Sequence, residues 1–277
     1  MSLTFVESIS LAGDRKKQND DACGFTGPRA WIIDGATDLH DKPLMPGSAS
    51  DAAWLARYTN RRLYEAWGND WVAQFGDLSA EAGSWFKQMA KQPYEKWQSP
   101  IASLLMLMER GEEIMGVDLG DCRVVALDAD GAVYVHGGGP DAADNESQRA
   151  AEQTDAHKPL LERTETIARL RREREAINRE GAPWTFGLDP ECAKHMRGWR
   201  FTLKMPAHIL LMTDGFSALM DRYRVYDAAG LIRAALDKGL QELGRELREI
   251  ETADAAGARH PRYKASDDAT ALLLRLS

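Results

Sequence analysis

Four groups of aspartate stand at the edges of short apolar runs in this chain: Asp20-Asp21, Asp34-Gly35, Asp214-Gly215 and Asp267-Asp268. Asp34 follows Trp31-Ile32-Ile33, Asp214 follows Leu210-Leu211-Met212-Thr213, and Asp267-Asp268 precedes Ala269-Thr270-Ala271-Leu272. A carboxylate at the edge of a core is costly without a partner, and several together repel one another. A cation removes both penalties. Aspartates plus a backbone carbonyl are the oxygen donors that magnesium and manganese accept in octahedral geometry, keeping some waters. The placement points to a metal centre. Taken singly, each aspartate also fits a turn or a cap, as Asp214 does before the segment that follows it.

The elements that must carry these residues come in blocks. Apolar runs predict strands over 3–9, 22–25 and 30–33, the last two parted by the Gly27-Pro28 turn. Residues 36–47 read as an irregular loop. Helical spacing follows over 52–68 (with Trp67 on the apolar face) and again over 79–91, stopped by Pro93. Strands return over 101–108, 112–117, 123–127 and 133–136, with turns that suit antiparallel hairpins. Gly137-Gly138-Gly139-Pro140 breaks the pattern and polar sequence follows. A charged helix is expected over 160–178, then strands over 184–186, 199–203 and 208–212. Helices over 217–220, 227–237 and 240–252 precede a final strand over 269–276. Strand blocks separated by helices imply an α+β layout on antiparallel sheets rather than a doubly wound parallel sheet. No repeat or low-complexity linker divides the chain.

Composition narrows the classes. The chain has 277 residues, 44% hydrophobic and 28% charged, enough to bury a large core. Its net charge of −8 argues against non-specific nucleic-acid or anionic-membrane binding. Cys23, Cys122 and Cys192 are odd in number and widely spaced, which disfavours a disulfide framework or a structural zinc site. The histidines show no HxH or HExxH pattern. No basic leader is followed by an apolar stretch, and no apolar run approaches the ~20 residues that cross a bilayer. The expectation is a soluble cytoplasmic protein with no membrane and no nucleic-acid partner.

Five motifs together resemble the metal-dependent protein phosphatases of type 2C. Asn19-Asp20-Asp21-Ala22 is similar to the family's N-[E/Q]-D-[A/S]. Trp31–Gly35 resembles its strand end in D-G, and Leu119-Gly120-Asp121-Cys122-Arg123 its G-D-S-R turn. Leu210–Phe216 and Ser266–Leu274 resemble its T-D-G and final D-[N/D]-x-T segments. They run in the family's order over nearly the whole chain. The resemblance implies a sandwich of two antiparallel β-sheets flanked by helix pairs, in a single domain over 1–277 with a variable flap at about 137–182. It implies a hydrolase of signalling pathways that removes phosphate from phosphoserine or phosphothreonine, using two manganese or magnesium ions and a weaker third. Asp34 would bridge both ions. Asp214 and Asp267 would hold the first, Asp20 and the Gly35 carbonyl the second, and Asp121 the third. Asp21 would orient metal-bound water, and that water, acidified by two cations, would attack phosphorus in line. The partners implied are a phosphorylated protein and a cognate Ser/Thr kinase.

The chain departs from the family in ways that matter. Asp20 stands where the family commonly has Glu. The phosphate-clamping Arg maps onto Lys16, with Arg15 beside it, and an ammonium lacks the bidentate fork of a guanidinium. The short turn after D-G is replaced by residues 36–48, so that Ala36 takes the place of a family His and His40 is only a nearby acid. The family's T-x-D-H segment is at best Thr154–His157. Six arginines between Arg163 and Arg179 alternate with glutamates, which reads as a solvated helix with i,i+4 pairs, at the position of the flap. The alternative reading is a phosphatase fold kept as a regulatory or binding module. A haloacid-dehalogenase-type site is disfavoured, because Asp34 and Asp38 lack its D-x-D spacing.

Overall fold

The structure, a computed structural model, describes residues 2–65, 68–91, 93–138, 142–153 and 160–277. Trp67, Gly139-Pro140 and Thr154–His157 lie outside these residues. In chain order the elements are β1 (Leu3–Leu11), β2 (Ala22–Thr26), β3 (Arg29–Gly35), α1 (Asp51–Leu63), α2 (Trp71–Met89), β4 (Ala102–Arg110), β5 (Glu113–Leu119), β6 (Arg123–Leu127) and β7 (Val133–Gly137). After them come α3 (Ala142–Ala151), α4 (Thr164–Ala176), β8 (Arg197–Phe201), β9 (Ala207–Met212), α5 (Asp214–Asp221), α6 (Ala228–Lys238), α7 (Leu240–Ala253) and β10 (Ala269–Leu276).

Two five-stranded antiparallel sheets stack, one in the order β1-β10-β9-β6-β7 and the other β2-β3-β4-β5-β8. Alternation along each strand decides which layer a residue enters. In β3, Ala30 and Ile32 face the inter-sheet core, while Trp31 and Ile33 pack under α1 and α2. In β10, Leu272 and Leu274 enter the inter-sheet core, and Ala271 and Leu273 pack against α5, α6 and α7. These strands are covered on both faces, so they read as continuous apolar runs rather than as alternating ones.

Register then fixes where the motifs lie. Ala22 pairs with Ile33, Gly35 with Ala102 and Leu104 with Leu119. In the other sheet Met212 lies between Ala271 and Arg123. The segments carrying Asp20-Asp21, Asp34, Asp121, Asp214 and Asp267 therefore all emerge at one end of the sandwich.

Three local expectations are corrected. The segment 184–186 forms no strand; Phe186 makes a single bridge to Ala102. The expected helix over 160–178 is a 3-10 turn at Leu160–Glu162 followed by α4. The polar stretch after β7 contains α3, and α2 begins eight residues earlier than the spacing suggested. Among the described residues no helix is long and apolar enough to cross a membrane, and all three cysteines are free.

Candidate metal centre

At the shared end of the sandwich each aspartate is positioned by its own strand. Asp34 is the penultimate residue of β3, opposite Ser103 of β4. Ser103 Oγ donates to Asp121 Oδ1 at 2.5 Å, which ties the β5–β6 turn to the same edge. Asp214 opens α5, and its amide lies 3.4 Å from Asp34 Oδ2. Asp21 is buried just before β2 and accepts the Thr213 hydroxyl on Oδ2 at 3.0 Å. Thr213 in turn accepts the Thr270 amide at 3.0 Å, so one hydroxyl links β9, β10 and Asp21. Lys264 donates to Asp267 Oδ1 at 2.6 Å, and the Asp268 amide reaches the same oxygen at 2.9 Å.

These side chains lie close enough to act on one another's charge. Burial pushes Asp34 well above the usual carboxylate range, and Asp214, Asp21, Asp121 and Asp267 push it further. Burial, then Asp121, Asp267 and Glu146, raises Asp214 to about 7. Asp21 is also raised, by burial and then by Asp268. Asp267 alone goes down: burial opposes, but the Lys264 ammonium prevails.

Asp20 behaves differently. Its carboxylate accepts the Ser50 hydroxyl that also caps α1 through the Ala53 amide. Burial raises it to about 6, with Ser50 opposing and Asp268 and Asp38 adding. It lines a cavity of about 720 Å³ together with Lys16, Asp38 and Lys264. Lys16 is exposed there, and Arg15 is exposed outside it. The Gly35 backbone lies against Asp20, because a Cβ at Gly35 would stand 2.5 Å from the Asp20 carbonyl oxygen. The backbone of Asp20 is held by Asp268, whose two oxygens accept the Gly13 amide at 2.7 Å and the Asp20 amide at 2.6 Å.

The donor set suits hard divalent cations. It is all oxygen, its members raise one another's proton affinity, and among the described residues Asp21 Oδ1 is buried without a hydrogen-bond partner. Among the described residues the only trio of donor atoms lying within 4.8 Å of one another is Asp38, His40 and Asp51. Its carboxylates hold backbone: Asp38 caps the Asp51 and Ala52 amides, and Asp51 accepts those of Leu44 and Met45. The aspartates of the sandwich end are spread more widely than that trio.

Four residues near these carboxylates carried no signal in the spacing. Glu146 of α3 accepts from Arg222 Nη2 at 2.5 Å at the end of α5. Lys264, Glu146, Arg222 and Arg174 of α4 line a second cavity, of about 310 Å³, with Asp121 and Asp267. The arginine-rich helix is not simply solvated. Arg171 donates to the Leu39 carbonyl at 2.7 Å, Arg174 to that of Thr37 at 3.2 Å, and Arg169 to the Tyr263 hydroxyl at 2.8 Å. Two expected i,i+4 pairs do form, Arg169–Glu173 and Arg179–Glu175.

Close backbone approach is part of the site. A Cβ on Gly215 would stand 1.9 Å from the Asp268 carbonyl oxygen. Gly215→Ala is expected to separate α5 from the start of β10, costing about 1–3 kcal/mol and weakening manganese binding. Denaturant melts and a manganese titration check this; an unchanged melt and titration would refute the packing argument.

The family model for protein phosphatase 2C matches residues 14–249. The chain belongs to this family. No curated protein sequence matches it. The serine/threonine phosphatase PstP/Ppp of Mycobacterium tuberculosis has a similar structure, with a TM-score of 0.58, 13% identity and full coverage of both chains. The S. agalactiae serine/threonine phosphatase gives 0.55 at 13% identity, covering 99% of this chain and 100% of its own. The PstP catalytic domain in complex with two manganese ions gives 0.53 at 13%, covering 99% and 98%. At these identities the likeness shows the shared fold.

Proposed function

We propose that this chain is a metal-dependent phosphohydrolase that removes phosphate from phosphoserine or phosphothreonine in proteins. One observation carries the reading: five separate segments deliver part-buried, mutually repelling carboxylates to one end of the sandwich. The PstP catalytic domain, which shares the fold, binds two manganese ions, and two are proposed here. Bound there, such ions would acidify water for attack on phosphorus and neutralise charge on the phosphoryl oxygens.

The chain's own residues divide the remaining work. Asp34 would serve both ions, Asp214 and Asp267 the first, and Asp20 with the Gly35 carbonyl the second. Lys264 and the Asp268 amide take Oδ1 of Asp267, and among the described residues no hydrogen bond occupies Oδ2. Asp121 would hold a weaker third ion, with Ser103 fixing its rotamer. Asp21, oriented by Thr213, would accept a hydrogen bond from a water at the site. Asp20 is short by one methylene and already engaged by Ser50, so the second site is expected to be the weaker of the main two. The segment 137–182 is read as a flap over the site, and the substrate as a cytoplasmic phosphoprotein set by a Ser/Thr kinase.

The test is hydrolysis of a phosphothreonine peptide with manganese, with magnesium and with chelator. Turnover with either ion and none in chelator is the expected result. Folded, manganese-loaded protein that hydrolyses neither the peptide nor an aryl phosphate would instead support the binding-module reading.

A further inference from the structure

The family's phosphate-clamping position is filled here by Lys16, which is exposed and makes no side-chain hydrogen bond or ion pair among the described residues. The cavity next to Asp121 and Asp267 offers another cation. Four basic side chains line it: Arg174, Arg222, Arg262 and Lys264. Three are already matched. Arg222 bonds Glu146, Arg262 bonds Asp254 at 3.0 Å, and Lys264 bonds Asp267.

Arg174 is not matched. It spends one contact on the Thr37 carbonyl, and among the described residues no carboxylate lies within ion-pair distance of it. Asp38 is the acidic group that acts on it, but both Asp38 oxygens already accept the amides that begin α1. Burial draws the Arg174 guanidinium down to about 10 against the pull of Asp38, leaving it charged at neutral pH. A charged guanidinium set in a cavity with most of its five N–H donors unspent is a receptor for an oxyanion, which it can take in a bidentate fork. The chemistry expected in that cavity, between it and the aspartates, is a phosphoryl group.

We propose that Arg174, presented by α4, binds the phosphoryl oxygens of the substrate and takes over the role expected of Lys16. The proposal rests on the phosphatase reading for the identity of the anion. It also explains why an insertion segment reaches so far inward. Arg171 and Arg174 grip the loop at Leu39 and Thr37, and Trp97 stacks beneath Arg171 at 4.3 Å. The same helix thus fixes the loop that follows Gly35 and brings a cation to the cavity that Asp121 and Asp267 also line.

The experiment is calorimetric titration of inorganic phosphate into the manganese-loaded protein, alongside KM and kcat for an aryl phosphate. Arg174→Met is expected to weaken phosphate binding by about 10- to 100-fold and to raise KM more than it lowers kcat. Arg174→Lys should recover part of the loss. Manganese binding should match wild type in both. Arg174→Gln replaces Arg174→Met if the latter does not fold. Arg171→Met, which removes a grip on the loop at Leu39 but no cation from the cavity lining, controls for positioning and should stay within about threefold. Phosphate affinity unchanged in Arg174→Met would overturn the proposal. So would an equal loss in Arg171→Met, or a larger one in Lys16→Met. The titration needs no turnover. Phosphate binding that depends on Arg174 in a protein without hydrolysis would sink the phosphatase reading and leave this one standing.

Discussion

Asp34→Asn and Asp214→Asn should each lower manganese-dependent hydrolysis by about 10³-fold or more, because metal stabilisation of the reacting charges supplies several kcal/mol. The same substitutions should make the protein, held in chelator at pH 8, slightly more resistant to heat. In the absence of cations Asp34 is surrounded by Asp214, Asp21, Asp121 and Asp267, and every one of them disfavours its charge. An amide removes that repulsion and keeps the shape. The two effects have opposite signs, which a purely structural role would not produce. A carboxylate that mattered as a cap or turn former would lose stability and activity together. Steady-state kinetics and a melt in chelator distinguish the cases, and a lower melting temperature for both variants would remove the metal-ligand assignment.

The legible part of this protein was the part written in strand ends. Trp31-Ile32-Ile33-Asp34 announces a doubly covered strand that stops in a carboxylate, and the structure buries Trp31, Ile32 and Ile33 completely. Turn chemistry located the hairpins, so the antiparallel arrangement followed. The hidden features depend on long-range partners. Residues 142–151 are polar enough to pass for a loop; α3 brings Glu146 to Arg222, which lies in the next sequence block but one. The first half of α2 carries Gly76 and Asp77, poor helix formers, yet Phe75 and Leu78 are buried under the sheet. The arginines of α4 alternate with glutamates whether they face water or Thr37 and Leu39, so composition cannot choose. Asp20 shows the same limit: the motif placed it beside Asp21, but its carboxylate is engaged by Ser50, and both line the neighbouring cavity.

Metal-free protein should lose stability as pH rises from about 5 to 8, and manganese should restore it chiefly at the upper end. The sign follows from the proton count. Asp20 and Asp214 sit at about 6 and about 7 in the folded chain, against an ordinary value of 3.8, and Asp34 and Asp21 are also raised. Between the unfolded and folded values the native state binds more protons than the unfolded one. Stability therefore falls with pH across that window and levels off above it. Carboxylates held low contribute in the other direction only in acid: Asp254, at about 2, is held by the Arg259 and His260 amides and by Arg262 against the cost of its burial. It stays ionised throughout pH 5 to 8 and adds no slope there. Manganese competes with protons for the same oxygens, so its stabilisation should grow with pH as the carboxylates ionise. The expected result is a melting temperature in chelator at least about 5 °C lower at pH 8 than at pH 5.5, with manganese reversing the order. Scanning calorimetry at both pH values, with and without the ion, measures both slopes. A metal-free protein equally stable at both would mean that the aspartates at the end of the sandwich do not repel one another, and the metal centre would lose its electrostatic basis.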